Sequence, residues 1–171
     1  GTQTNTVAGE LWIASTPNVA ANVVLNNTSL TVPSWIALGR GNGDTGTLST
    51  ITATNSSITS TNFSTGHDAG LANDSDQIVT LTNSTWTNNG QTLLAENANA
   101  TTTMVIEGSS VYNAKGRFSI GLGDNSLATV TVKDRSPAER SRASAAALGE
   151  VLVKLTGNRR TPNDASARPL P

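Results

Sequence analysis

Hydrophobic and polar residues alternate over short stretches in the first 133 positions. The stretch Trp35–Thr61 (WIALGRGNGDTGTLSTITATNSSITST) shows the unit most completely. It contains a short apolar strand, a Gly/Asn/Asp turn, a Thr-rich alternating strand, a small polar turn and another short strand. Alternation over about four to eight residues, bounded by Asn, Gly and Ser, indicates half-buried strands. The pattern therefore predicts a repeated strand–turn–strand unit.

Shifted copies of this unit can be aligned as five blocks, which cover residues 11–34, 35–62, 63–90, 91–116 and 117–134. Four blocks end on two polar residues and a hydrophobic one: Thr28-Ser29-Leu30, Ser56-Ser57-Ile58, Ser84-Thr85-Trp86 and Ser109-Ser110-Val111. A block of this size cannot bury a core alone, but stacked blocks align their inward side chains into one column.

An alternating strand lies upstream of each of these four endings, and a fifth lies in the last block. The hydrophobic positions of the five strands are Val23/Leu25, Leu48/Ile51, Ile78-Val79/Leu81, Met104/Ile106 and Val130/Val132. We expect Leu81 and Ile106 to lie in the core. An antiparallel sandwich also has short strands at regular spacing. The solenoid is favoured because whole blocks repeat and no tight two-residue hairpin turn joins neighbouring strands. The predicted fold is mainly β, a single-stranded β-helix (β-solenoid) of about five rungs.

The character of the chain changes after Lys133. Residues 1–133 carry four basic and eight acidic residues, whereas residues 134–171 carry seven basic and four acidic ones. Ser136, Pro137 and Glu139 form a helix-start signal, and apolar residues then recur at helical spacing as far as Leu155. We predict three segments: a solenoid over 1–133, an amphipathic helix over 134–160 that caps the last rung, and a disordered tail over 161–171.

Three segments resemble the repeats of autotransporter-type passenger domains: Leu25–Ile36 (LNNTSLTVPSWI), Leu38–Thr47 (LGRGNGDTGT) and Ile120–Val132 (IGLGDNSLATVTV). The resemblance covers about residues 9–133. It implies a right-handed β-helix that is exported to the surface of a Gram-negative cell or beyond it. The third and fourth blocks depart from the pattern, with His67–Gly70 and Glu96–Asn99 in place of the glycine turn. No membrane-spanning barrel follows the repeats, so the resemblance implies a fragment.

Residues Val130–Arg159 (VTVKDRSPAERSRASAAALGEVLVKLTGNR) resemble a second family, the DUF2066 type of uncharacterised proteobacterial envelope proteins. The remainder of that family's domain is not in the chain. Two resemblances that meet within one strand indicate a chimera, a rearranged gene or an artificial joining of two segments.

The turn Gly41–Gly46 reads G-x-G-x-x-G, the pattern of a dinucleotide-binding loop. Such a loop must open a helix, but the residues that follow, Thr47–Thr54, alternate as a strand. We therefore expect a solenoid corner and no nucleotide. A calcium-binding repeat at the same turn would need tandem nine-residue copies, which are missing. No metal or other cofactor is expected.

A loop-rich region offers the alternative surface site: His67, Asp68, Asp74 and Asp76, with Arg40 as a base. Clustered carboxylates can hold a hard cation or act on a sugar chain. The same residues also suit a solvated loop with Asx turns. Trp12, Trp35 and Trp86 are expected in core or edge packing, although an exposed one could stack on a sugar.

Composition narrows the function further. The net charge of −1 provides no field to attract nucleic acid, the chain has no cysteine, and no run is long enough for a membrane span. Together with the resemblance to passenger domains, which implies a location at the cell surface or outside the cell, these features favour a non-enzymatic structural or adhesive passenger fragment with surface glycans or proteins as partners. The alternative is a glycan-binding or polysaccharide-processing β-helix that uses the Asp68–Asp76 loop and a surface Trp.

Overall fold

The computed structural model describes residues 1–15, 19–40, 47–67 and 75–133. These residues contain thirteen β-strands and no helix, and therefore no helix that could cross a membrane. The strands are β1 (Gln3–Thr6), β2 (Leu11–Ile13), β3 (Ala21–Asn26), β4 (Thr28–Leu38), β5 (Thr47–Thr54), β6 (Ser57–Thr65), β7 (Ser75–Thr82), β8 (Thr85–Asn88), β9 (Thr92–Leu94), β10 (Thr101–Glu107), β11 (Val111–Ala114), β12 (Phe118–Ile120) and β13 (Leu127–Val132).

All strand pairs among these residues are parallel and join successive turns of a β-solenoid. One sheet has the order β3-β5-β7-β10-β13. The other has the order β1-β4-β6-β8-β11. In addition, β2 pairs with the end of β4, β9 pairs with the end of β6, and β12 pairs with β9. Five strands in the first sheet correspond to about four turns. The predicted β-solenoid is confirmed, and parallel pairing excludes the antiparallel sandwich.

Side chains of the same kind stack from turn to turn. In the first sheet Leu25, Ala53, Leu81 and Ile106 occupy one inward row, and Val23, Ile51, Val79, Met104 and Val130 occupy the next. Leu81 is completely buried and Ile106 is 8% exposed, as the alternation predicts. Burial of these rows supplies the main favourable term in folding, because no single turn has a core of its own.

An aromatic cluster fills the other side of the column. The ring centroids of Phe63 and Trp86 lie 4.4 Å apart, and those of Trp86 and Tyr112 lie 5.6 Å apart. Trp86 is completely buried and donates its indole N–H to Ser60 Oγ at 2.9 Å. The core position expected for Trp86 is therefore confirmed.

The fourth block ending was placed one residue out of register. Tyr112, and not Val111, pairs with Trp86, and Val111 is 45% exposed. The cause is an extra residue at the preceding turn, where Gly108-Ser109-Ser110 replaces the two residues Asn83-Ser84. A shift of one residue in a strand moves each side chain to the opposite face.

Two other expectations on the strands are corrected by the structure. Leu48 is exposed, because β5 turns Ser49, Ile51 and Ala53 inward instead. Val132 pairs with Ile106 in an inward row but is half exposed, since β13 is the outermost strand of its sheet. The predicted helix over 134–160, the tail over 161–171 and the turn Gly41–Gly46 lie outside the described residues.

Candidate functional site

The turn that leads from the first sheet into the second repeats the same backbone conformation. We call it the Asn corner; it consists of Asn27, Asn55 and Asn83, with φ of 50°, 48° and 49°. Gly108, with φ of 63°, takes the same place one turn later. Asn is among the few residues that tolerate positive φ, because its short polar side chain bonds locally.

A ladder of hydroxyl groups closes the Asn corner. Ser56 Oγ accepts a hydrogen bond from the Thr28 N–H at 3.0 Å and donates to the Thr54 carbonyl at 2.7 Å. Ser84 Oγ repeats both contacts one turn later, and Ser110 Oγ accepts from the Ser84 N–H at 3.0 Å. These hydroxyl groups satisfy backbone N–H groups that would otherwise be buried without a partner.

A second corner follows the other end of the second sheet. We call it the Gly corner; its positive-φ residues are Ala14, Gly39, Gly66, Ala95 and Gly121. Backbone hydrogen bonds link its successive turns, from Gly39 N to Ile13 O and from Gly66 N to Leu38 O, each 2.9 Å long. At Gly66 a Cβ atom would lie 2.5 Å from Ala100 Cβ, so the close approach also requires glycine.

Three ionisable residues follow the Gly corner on consecutive turns. Leu38 pairs with Thr65, so Arg40 lies beside His67, two residues further along the chain from each. Ser64 pairs with Leu93, so His67 in turn lies beside Glu96, three residues further along, and the three ionisable residues form one stack. His67 Nδ1 lies 2.8 Å from Glu96 Oε2, an oxygen that is buried from solvent and forms no further hydrogen bond within the described residues.

Arg40 contacts two residues of the preceding turn, Glu10 and Trp12. Its Nη1 atom lies 3.2 Å from Glu10 Oε2, and its guanidinium carbon lies 4.5 Å from the centre of the Trp12 ring. The Trp12 indole donates to the same Glu10 oxygen. Two partners on one side chain restrict its rotamers, so the guanidinium is positioned before any ligand arrives.

The stack borders a cavity of about 290 Å³ on the side of the solenoid, which we call the lateral groove. Ser64 and Leu93 pair in neighbouring strands and form its floor, 1% and 6% exposed. Its described lining residues are Trp35, Arg40, Ser64, His67, Gln91, Leu93 and Glu96. The volume lies just below the usual range of small-molecule sites, and the described lining combines two apolar side chains, Trp35 and Leu93, with five polar ones.

The structure brings together two of the five residues proposed from the sequence, Arg40 and His67. Asp76 lies in β7 on the other sheet, where it pairs with Leu48 and Thr101 and is exposed. Asp68 and Asp74 lie outside the described residues. Trp35 is the tryptophan that lines the groove, whereas Trp12 is half exposed beside Arg40.

Glu96 is a groove residue that the sequence reasoning did not select. A signal for it existed, because His67–Gly70 and Glu96–Asn99 replace the glycine turn at equivalent places in their blocks. Positions that follow equivalent corners stack, so a residue after one corner predicts a neighbour 25 to 29 residues away. Within the described residues, no three His, Cys, Asp or Glu side chains group closely enough to hold a metal ion.

Comparison with known proteins finds a similarity to a family of unknown function. A family model described as "Domain of unknown function (DUF8605)" matches residues 126–170, which begin just before β13 and continue beyond the described residues. No curated protein and no solved structure matches the chain significantly. None of the described lining residues of the lateral groove falls within the matched range, so the match carries no information about the chemistry of the groove.

Proposed function

We propose that this chain is a non-enzymatic structural or adhesive segment of an exported bacterial surface protein. The observation that carries the proposal is the unbroken stacking of parallel strands over successive turns. Parallel strands lie about 4.8 Å apart, so the column places one surface side chain of each turn beside that of the next at this spacing. A rigid column of this kind presents such rows to a partner at little entropic cost on contact.

The rows displayed on the outside are mainly hydroxyl and amide groups. Thr50 Oγ1 donates to Asn22 Oδ1 at 2.8 Å, and Ser57 Oγ donates to Ser29 Oγ at 3.0 Å, each across one turn. Such ladders hold surface side chains in fixed rotamers. They support an adhesive role toward surface glycans or proteins, whose own surfaces are rich in hydroxyl and amide groups.

The export part of the proposal rests on the resemblance of residues 25–36, 38–47 and 120–132 to passenger repeats. It is tested with the full-length natural gene, expressed in a Gram-negative host, and antibody raised against this chain. We expect the antibody to label intact cells, and we expect external protease to remove the label while a periplasmic marker survives. Labelling that requires permeabilised cells would overturn the surface location.

A second candidate function is polysaccharide processing, which the convergence of Arg40, His67 and Glu96 on one groove favours. Acid–base chemistry on a sugar chain needs ionisable groups within reach of the same bond. Incubation of the purified chain with a polysaccharide panel, followed by measurement of new reducing ends, separates the two functions. The scaffold function predicts no product above that of a His67→Ala variant. A product that both His67→Ala and Glu96→Gln abolish would establish the enzyme.

A further inference from the structure

We propose that the lateral groove is a binding site for a neutral saccharide of one or two sugar units. Such a site goes beyond the scaffold function, since a column can display side chains without holding a ligand. The groove combines an aromatic ring, an apolar floor and a row of hydrogen-bonding side chains, which are the three features that a sugar ring requires.

The aromatic and apolar part consists of Trp35 and Leu93. Trp12 and Trp86 both donate their indole N–H groups to protein acceptors, Glu10 and Ser60. Trp35 is the tryptophan among the described lining residues of the groove. A sugar ring presents a face of C–H groups, and an indole offers a rigid, polarisable surface of matching size, so that stacking buries apolar area at little entropic cost.

The polar part is the row formed by Arg40, His67 and Glu96, together with Gln91. Sugar hydroxyl groups both donate and accept, and this row offers donors on Arg40 and Gln91 and acceptors on Glu96 and Gln91. With Nδ1 of His67 engaged by Glu96, Nε2 is the ring nitrogen left for a ligand. Arg40 and His67 are each held by a carboxylate, so little ordering is needed on binding.

The charge of the groove selects a neutral sugar. The positive charge of Arg40 is opposed at 3.2 Å by Glu10, and Glu96 adds a negative charge to the lining itself. A uronate, sulfate or phosphate would therefore meet no net positive field and would face a carboxylate. Neutral hydroxyl groups form charge-assisted hydrogen bonds with the same side chains at no such cost.

The cavity volume sets the size of the ligand. A space of about 290 Å³ admits one sugar ring with part of a second, and the opening on the side of the solenoid lets the remainder of a longer chain extend into solvent. The site therefore suits the end or a short segment of a neutral surface glycan.

Saturation-transfer NMR with the purified chain tests the proposal. The probes are lactose, cellobiose, maltose and, as the acidic comparison, digalacturonate. We expect at least one neutral disaccharide to bind with a millimolar Kd and to receive saturation on its ring C–H protons. Trp35→Ala and Glu96→Gln should each weaken that affinity about tenfold, because each removes a stacking or charge-assisted contact.

The matched control is Glu107→Gln, the same change on the first sheet, where Glu107 accepts a hydrogen bond from Thr82 outside the groove. It should bind within about twofold of the unmodified chain. If circular dichroism shows that Trp35→Ala does not fold, the comparison of Glu96→Gln with Glu107→Gln decides alone.

Three results would overturn the proposal: no neutral disaccharide bound at about 10 mM, digalacturonate bound more tightly than the neutral probes, or equal binding by the groove and control variants. Failure of surface labelling, in contrast, would leave it intact.

Discussion

At the Asn corner, the residue that continues the chain after the positive-φ position is Thr28, Ser56 or Ser84. At three of the five Gly-corner positions it is Arg40, His67 or Glu96, whereas Ser15 and Leu122 follow the other two, Ala14 and Gly121. The backbone conformation is nearly the same at both, with φ between 48° and 63° at Asn27, Asn55, Asn83 and the glycines. The corners differ in the length and charge of the side chains that leave them.

A short hydroxyl can reach only its own backbone and that of the adjacent turn. At the Asn corner the hydroxyl groups therefore close the turn and are buried. A long ionisable side chain cannot be buried unpaired, so at the Gly corner it extends to the surface and pairs there. The same stacking rule thus produces a structural seam at one corner and a candidate binding site at the other.

Leu81→Asp should have the largest effect, because it tests whether the two corners belong to one cooperative unit. Leu81 is completely buried between Ala53 and Ile106. An unpaired buried carboxylate costs several kcal/mol, which is comparable to the stability of a whole domain, about 5–15 kcal/mol. We expect circular dichroism to show an unfolded chain.

The control for Leu81→Asp is Ile78→Asp in the same strand, where the side chain is 39% exposed on the opposite face. It should retain the fold. Equal thermal unfolding of the two variants would contradict the assignment of the core.

Gly66→Ala should be the most damaging single change at the Gly corner. Positive φ alone costs an alanine about 1 kcal/mol, and at Gly66 the new Cβ also meets Ala100 at 2.5 Å. Overpacking adds about 1–3 kcal/mol, so we expect a loss of about 3 kcal/mol in urea unfolding.

Gly121→Ala separates the two contributions. Its φ of 62° is equivalent, but the nearest atom to a new Cβ lies 3.5 Å away. It should lose only about 1 kcal/mol. Equal losses at Gly66 and Gly121 would show that the contact with Ala100 relaxes freely.

Ser56→Ala tests whether the Asn corner depends on its hydroxyl ladder. The change leaves the buried Thr28 N–H without its acceptor and removes one of the two hydrogen bonds to the Thr54 carbonyl, which still accepts from the Asn27 N–H. An unsatisfied buried group costs about 1–3 kcal/mol, and we expect a loss of about 2 kcal/mol in urea unfolding. Ser57→Ala, one residue later, removes an exposed hydroxyl bonded to Ser29 and should change stability by less than about 0.5 kcal/mol. A small effect of both changes would reject the ladder as a structural element.

The stability of the fold at high pH gives a further test of the region beside the Asn corner. Tyr112, two residues after Ser110, contacts Trp86, and burial raises the pKa of its phenol above the ordinary value of 10, while the hydrogen bond with Thr92 lowers it. Above pH 10 the unfolded chain releases this proton and the folded chain retains it. Stability therefore falls as pH rises, by at most about 1.4 kcal/mol per pH unit.

Tyr112→Phe removes this contribution. Because Tyr112 is the one tyrosine in the sequence, tyrosinate absorbance in the near ultraviolet reports it alone. We expect urea unfolding of the variant to depend less steeply on pH above 10 than that of the unmodified chain. Ionisation of the folded protein near pH 10 would contradict the burial.

Arg40→Gln should have the smallest effect on stability. The ion pair with Glu10 is partly exposed on both sides, and such pairs contribute about 0.2–1 kcal/mol; contact with Trp12 adds a similar amount. We expect a loss of at most about 1 kcal/mol in urea unfolding, because the charged side chains of the Gly corner lie at the surface and contribute little to stability. A loss as large as that of Ser56→Ala would remove the distinction between the two corners.

Much of this architecture follows from the sequence by itself. The alternation of Val79 and Leu81 with polar residues, and its recurrence in Met104 and Ile106, determines strands with one buried face. Recurrence of the whole block determines stacking, because no block can bury its hydrophobic face alone. The repeat does not by itself locate the one-residue insertion before Val111, because the length of the blocks varies along the chain.

The groove was decided only by the tertiary structure. Arg40, His67 and Glu96 lie in different blocks, and their turns differ in length, so spacing along the chain aligns them only approximately and does not show that they border one groove. They meet because hydrogen-bonded register is set by the strands on either side of each corner, whatever the length of the loop between them. For the same reason Asp76, close to His67 in sequence, belongs to another sheet. Parallel stacking converts positions about one turn apart into neighbours, and separates residues that the chain places side by side.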